Sequence, residues 1–262
     1  MKPGKYIFFD YDGTIADREK GAPESAKEAL RQLKKNGTNC LVVTNRIRDK
    51  IQDFIADMNF DGVISGSGAD IEYHGKTLWT AEMNPEEVKK IVANLRAYHF
   101  IACPEGKTDF FIDPEYMETF ITEDRYERMR RGAGDVKPID YDDLHVAKVG
   151  AYYTPESDRE GYLKTVPEEY YCLIHGEHFM ETVPNFVNKG DAIKRFIEMQ
   201  GVPFEDTYAF ADTYADLEML LAVNHPVAMG NGDTKLLEVI EDHTKPLLED
   251  GLYLKLKELG FI

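Results

Sequence analysis

In YIFFDYDGTIAD, residues 6 to 17, Asp10 and Asp12 stand one residue apart directly behind a run of aromatic and branched side chains. Far along the chain YAFADTYADLEML repeats the arrangement, with Asp212 directly behind an apolar run and Asp216 four residues on. Like charges crowded at the ends of buried strands are costly unless something positive lies among them, and a divalent cation held by oxygen atoms is the economical candidate. A helix-loop-helix calcium site also begins with alternating acids. Counted from Asp10, however, it needs Gly at the sixth position and Glu at the twelfth, where this chain has Ile15 and Gly21. For any single acid the plainer reading is a turn or a helix cap, and Asp216 is the one it suits best. The repeated context favours one shared hard-cation site at which a carboxylate also acts on a substrate.

Lys189 and Thr44 extend the set. Lys189 opens the helical pattern NKGDAIKRFIEMQG, where the helix dipole would favour an acid; among four acids a lysine there balances charge and can hold a phosphoryl oxygen. Thr44-Asn45-Arg46 closes the apolar run CLVV. Thr44 or Asn45 is expected to cap a helix that starts at Arg46, and the same hydroxyl or amide can grip a phosphoryl oxygen together with helix amides.

The elements that would position these residues alternate between strand and helix. Strands are expected at Tyr6 to Phe9, Cys40 to Val43 and Gly62 to Ile64. Helices are expected at Glu24 to Lys35, with Ala26, Ala29, Leu30 and Leu33 inward, and at Arg46 to Met58, with Ile47, Ile51, Phe54 and Ile55 inward. Near-continuous apolar strands of this kind belong to a parallel sheet covered on both faces, where ligands bind beyond the carboxyl ends of the strands. The same grammar returns after Asn185: a helix with Ala192, Ile193, Phe196 and Ile197 inward, a strand ending at Asp212, a short helix over Ala215 to Ala222, and a strand in PVAMGN. A helical segment then runs from about Thr234 to Leu259, interrupted at Pro246 and Gly251.

Between these parts the pattern changes. Asn84 caps a helix with Pro85 first and Glu87 completing the box; half-polar strands are expected at Thr108 to Ile112, Leu144 to Tyr152, Tyr171 to Ile174 and Phe179 to Val183, with a charged helix around Glu115 to Arg130. The expected fold is therefore α/β, a Rossmann-like parallel-sheet core with helices on both faces and an inserted α/β cap domain. Residues 1–80 and 185–262 would form the core and 81–184 the insert.

A chain of 262 residues, 43% of them apolar, can bury a full core, and its net charge of -17 argues against general affinity for nucleic acid or an anionic membrane. The one compact basic run, Arg125, Arg128, Arg130 and Arg131, is interleaved with Glu123, Asp124 and Glu127 and reads as a solvated helix face. Cys40, Cys103 and Cys172 lie far apart, without the spacing of a metal site. The start MKPGKYIFF leads straight into the first strand and no apolar stretch is long enough to span a membrane, so a cytoplasmic location is expected.

In order, DYDGT, Thr44, Lys189 and ADTYAD resemble the four motifs of the haloacid dehalogenase-like hydrolase superfamily. The insert after the second motif, with NKGDAI and VAMGN, is most similar to the Cof-type, C2-capped sugar phosphatases. The resemblance implies a Mg²⁺-dependent phosphatase acting on a small phosphomonoester, such as a sugar phosphate, as a monomer or a homodimer. Asp10 would be the nucleophile and would form an aspartyl-phosphate; Asp12 would be the general acid and base; Thr44, Asn45 and Lys189 would hold the phosphoryl group. Asp10, Asp212, Asp216 and the backbone oxygen of Asp12 would hold the metal, and the cap would contact the leaving group. The chain departs from the branch at Ala211 and Ala215, which replace a usual Gly and Asn, at Asn45 in a usual Thr-Gly-Arg, and at Ser67-Gly68 in place of Asn-Gly. A phosphosugar mutase would share the intermediate, and a noncatalytic phosphate-binding or interaction protein is the alternative of another class; the complete acid and lysine set weighs against the second.

Overall fold

The structure is a computed structural model that describes residues 4–47, 52–107, 109–116 and 136–262. The chain divides into two compact units, one made of Met1–Asn45, Gln52–Trp79 and Asn188–Ile262, the other chiefly of Thr80–Val187. The first is an α/β sandwich. Its sheet runs in the order His225–Ala228, Thr207–Ala211, Tyr6–Asp10, Asn39–Val43, Gly62–Ser65, Asp70–Tyr73, Lys76–Thr80. The first five are parallel, and Asp70–Tyr73 pairs antiparallel to its neighbour. Tyr6–Asp10 is central, and Ile7, Phe8 and Phe9 are all fully buried, as expected of a strand covered on both faces.

Packing ties the site-bearing elements together. Phe8, two residues before Asp10, meets Phe196 edge-on at 5.7 Å, and Phe196 lies on the helix Lys189–Gln200. Ala192, Ile193, Ala209, Ala211, Met219 and Leu220 share that cluster, so the helix starting at Lys189, the strand leading to Asp212 and the helix following Asp216 are anchored in one core. The Lys189 helix is closed by Gly201 in the left-handed conformation and capped by the Asn188 side chain on the amide of Asp191.

The second unit holds a six-stranded mixed sheet in the order Tyr170–His175, Phe179–Pro184, Lys148–Tyr152, Ile101–Glu105, Phe110–Ile112, Val136–Pro138. Its helix Pro85–Ala97 packs Val88, Ile91, Val92 and Leu95 into a core with Phe100, Val149, Met180 and Tyr162. A buried ion-pair group crosses three strands: Lys148 Nζ lies 2.5 Å from Glu181 and 3.3 Å from Glu105. Burial pushes the Glu181 carboxyl up, but the Lys148 ammonium and the His175 hydrogen bond outweigh it and hold the group well below the usual range. The basic run Arg125 to Arg131, and most of the helix expected around Glu115 to Arg130, lie outside the described residues. Among the described residues no helix is long and apolar enough to cross a membrane.

Several expectations are corrected. Arg46 does not begin a helix: Asn45 and Arg46 form a bend and the described helix is Gln52–Met58. The Thr44 amide bonds the Ile64 carbonyl and the Thr44 carbonyl accepts from Ser67, so the backbone here extends the sheet edge into the next loop. SGSGADIEYHGKTLWT contains an unexpected hairpin, turning at His74 and Gly75, both with positive φ. Its turn lacks the Asn-Gly or Asp-Gly that signals a tight hairpin. Gly251 starts the last helix, Gly251–Glu258, rather than breaking one; a side chain there would collide with the Lys245 carbonyl at 1.8 Å. Ile101–Glu105 is a strand that Pro104 conceals in the sequence.

Candidate active site

Asp10 ends the central strand, and the chain turns at once into a compact loop in which the amides of Ile15 and Ala16 bond the Tyr11 carbonyl and the Gly13 amide bonds the Ala16 carbonyl. Gly13 has φ +90°, and a Cβ there would lie 2.1 Å from Asp212 Oδ2, so only glycine lets the two acidic loops meet. Thr14, fully buried, donates to Asp212 Oδ1 at 3.3 Å, and Asn231 donates to the Gly13 carbonyl at 2.8 Å while accepting from the Leu247 amide. Neither Thr14 nor Asn231 was singled out as a site residue from sequence; the GT and GN dipeptides that contain them were the only signal.

Lys189 reaches this point from the start of its helix. Its Nζ lies 2.5 Å from Asp10 Oδ1 and 2.6 Å from Asp216 Oδ1, with all three side chains buried. Asp216 makes no cap hydrogen bond to the helix that follows it; its second oxygen accepts from the Thr213 hydroxyl at 2.7 Å. The helix-cap reading of Asp216 is thereby replaced by an ion pair. One oxygen from each of Asp10, Asp212 and Asp216 falls within 4.8 Å of the others. Asp12 is half-buried beside the group, its carboxylate not among those three; Thr44 is buried at the end of the neighbouring strand, and Asn45 is half-buried next to it.

Asp10 and Asp216 share one ammonium with Asp212 close by, and burial shapes the protonation of Asp10 and Asp212. Burial, outweighing Lys189 and reinforced by Asp216 and Asp212, pushes the Asp10 carboxyl well above its ordinary range. Burial and the Asp216 charge push Asp212 up to about 6. Burial works against the Lys189 charge, but Asp10 and Asp216 outweigh it and raise its pKa. A compact set of hard oxygen donors with unbalanced negative charge fits Mg²⁺, and Asp10, Asp212 and Asp216 are the side chains able to hold it.

A pH dependence follows. In the metal-free protein Asp10 and Asp212 keep protons that the unfolded chain, with its aspartates at 3.8, has already lost. Their contribution to stability is therefore fullest below that value and declines as pH rises through about 6 for Asp212 and higher for Asp10. A Mg²⁺ ion held by these carboxylates would take over the role of those protons. The rise in melting temperature on adding Mg²⁺ is expected to be larger at about pH 8.5 than at about pH 5.5, and Asp212→Asn should flatten that difference. Thermal unfolding with and without Mg²⁺ checks this; a shift independent of pH in the wild type would contradict it.

Gly190 sets how closely the Lys189 helix approaches. A Cβ there would lie 2.5 Å from the Glu218 carbonyl, two residues past Asp216. Gly190→Ala should favour the isolated helix by about 1 kcal/mol, yet push it away from the Asp216 segment. Since a displacement of about 1 Å can cost about a hundredfold in rate, a loss of that order in kcat/KM is expected with little change in helix content by circular dichroism. Wild-type kcat/KM in this variant would show that the approach is not critical.

The chain belongs to the haloacid dehalogenase-like hydrolase family, whose model matches residues 7–256. Family membership, the α/β fold and the three-acid cluster make it a hydrolytic enzyme. Among curated relatives it is 27% identical over 266 residues to "Putative phosphatase YkrA" of Bacillus subtilis (strain 168), with 98% of each chain covered. It is 22% identical over 279 residues to the 5-amino-6-(5-phospho-D-ribitylamino)uracil phosphatase YwtE of the same organism, covering 95% of each. Among solved structures, a hypothetical protein of Geobacillus kaustophilus HTA426 aligns with a TM-score of 0.87 and 25% identity over 99% of this chain and 100% of that one. The subclass IIB sugar phosphatase BT4131 aligns with a TM-score of 0.81 and 24% identity over 98% and 100%, a likeness of fold.

Proposed function

We propose that the protein is a Mg²⁺-dependent phosphatase of the Cof-type, C2-capped branch that hydrolyses a small phosphorylated metabolite, a sugar phosphate or related phosphomonoester, in the cytoplasm. The observation that carries this reading is Lys189 bridging Asp10 and Asp216 beside Asp212: a buried carboxylate at a strand end, with a positive partner and room in its chemistry for a hard cation. The names of the relatives, phosphatases acting on phosphorylated ribityl and sugar compounds, and the subclass IIB likeness support the substrate class. Residues 81–184 are assigned as the cap domain, inserted between core segments 1–80 and 185–262.

In this reading Asp10 attacks phosphorus, forming the Oδ–P bond as the P–O bond to the leaving group breaks. Asp12 gives a proton to the departing oxygen and then takes one from the water that cleaves the aspartyl-phosphate. Thr44, Asn45 and Lys189 hold the phosphoryl oxygens, and the buried ammonium keeps Asp10 oriented for attack. Bound Mg²⁺, held by Asp10, Asp212, Asp216 and the backbone oxygen of Asp12, supplies positive charge that offsets repulsion between carboxylate and phosphate dianion.

The test is phosphate release across phosphorylated sugars, sugar alcohols, nucleotides and cofactors, with Mg²⁺ and with the metal chelated. Metal-dependent hydrolysis of one or more sugar phosphates is expected. Conversion of a sugar phosphate to its positional isomer without phosphate release would instead identify a mutase, and no reaction with any compound would remove the enzymatic reading.

A further inference from the structure

Ser67, in the loop after the strand Gly62–Ser65, is 2% exposed, and its hydroxyl oxygen is enclosed without a hydrogen-bond partner in the protein. It is also held at φ 63°, ψ 21°, between Gly66 at φ 59° and Gly68 at φ 100°. An enclosed, unpaired hydroxyl and a serine in the left-handed region each cost stability. Its surroundings explain its place. The Ser67 amide donates to the Thr44 carbonyl at 3.1 Å on one side. On the other, Gly68 lies so close to the turn before Lys189 that a Cβ would sit 2.4 Å from the Asn188 carbonyl. The loop is thus wedged between Thr44 and Asn188, the residue before Lys189, with its one hydroxyl unspent.

We infer that the Ser67 hydroxyl donates a hydrogen bond to a phosphoryl oxygen of the substrate, beside Thr44 and Lys189. The inference rests on reading the site as a phosphoryl-transfer centre. Ligand binding would supply the partner that the folded protein lacks, and the backbone of the loop already lies against Thr44 and Asn188. Serine can do this because its hydroxyl rotates to suit an acceptor; asparagine, which tolerates the left-handed conformation and carries amide donors, could replace it.

The experiment measures binding of inorganic phosphate to the Mg²⁺-loaded full chain by titration calorimetry, with melting temperature as the control for folding. Ser67→Ala and Ser67→Gly should each weaken phosphate binding by about tenfold or more, because the bond lost is to a charged acceptor. Their melting temperatures without phosphate should equal or exceed the wild type, since an unpaired buried hydroxyl has gone, and Ser67→Asn should restore much of the affinity. Wild-type affinity in both the Ala and Gly variants would overturn the assignment while leaving the phosphatase reading in place. A wild-type protein that neither binds phosphate nor hydrolyses any phosphomonoester would instead remove the phosphatase reading, and this inference with it. Failure of both variants to fold would assign the hydroxyl to the fold and equally overturn its role in binding.

Discussion

Asp10→Asn is expected to lower turnover of every phosphomonoester the wild type accepts by at least about three orders of magnitude, with the fold intact. The amide has nearly the shape of the carboxylate, so Phe8, Phe9 and the central strand that set its position are undisturbed. What disappears is the proposed nucleophile. Burial of Asp10 favours the neutral form in the metal-free protein, so replacing it by a neutral amide should leave that form's stability unchanged or raised at neutral pH, by the same linkage that raises its pKa. Loss of activity together with retained or increased melting temperature is the expected signature. Activity lost in proportion to unfolding would place Asp10 in the scaffold, and near-normal turnover would exclude a covalent route through it.

The second large effect concerns the counter-charge. Lys189→Met keeps an apolar stem on the first turn of the helix but leaves Asp10 and Asp216 facing each other without the ammonium that lies 2.5 Å and 2.6 Å from them. Removing one partner of a buried ion pair typically costs about 3–5 kcal/mol, and a loss of that order is expected in urea unfolding of the metal-free variant at neutral pH. Mg²⁺ should recover part of the loss. Catalysis should not recover if Lys189 is the proposed donor to the phosphoryl group; a fall of about a hundredfold or more in kcat/KM with saturating Mg²⁺ is expected. Lys189→Arg should fail as well, since a planar fork cannot reproduce a point charge seated between two carboxylates. Unchanged stability and turnover in Lys189→Met would contradict the assigned role of this lysine.

Much of this arrangement is legible in the sequence, for identifiable reasons. Strands covered on both faces produce apolar runs, so Tyr6–Asp10, Asn39–Val43 and Thr207–Ala211 stood out, and the acids behind them were recognisable because polar residues otherwise avoid such contexts. The helix Glu24–Lys35 was equally plain from its inward stripe of Ala26, Ala29, Leu30 and Leu33. What could not be read was set by tertiary contact. The bend at Asn45 and Arg46 follows from Thr44 being engaged by Ile64 and Ser67, partners about twenty residues on along the chain, which local helix propensity does not anticipate. The Asp216 ion pair depends on how closely the Lys189 helix approaches, which is a property of Gly190 against Glu218. Ser67 is the clearest case: in the sequence Ser67-Gly68 is only a departure from the Asn-Gly of the resembled branch, and the enclosed hydroxyl and the contacts on either side are what motivate a role for it.

The most direct test of the phosphatase mechanism is to locate the transferred group. Mg²⁺-loaded wild-type protein would be mixed rapidly with a phosphomonoester that it turns over, quenched in acid, and digested for peptide mass spectrometry. The result expected is one phosphoryl group on the peptide containing Asp10, released by hydroxylamine as an acyl phosphate would be, and missing from Asp10→Asn. A phosphoryl group on any other residue, or none at Asp10 during a measured pre-steady-state burst, would contradict it.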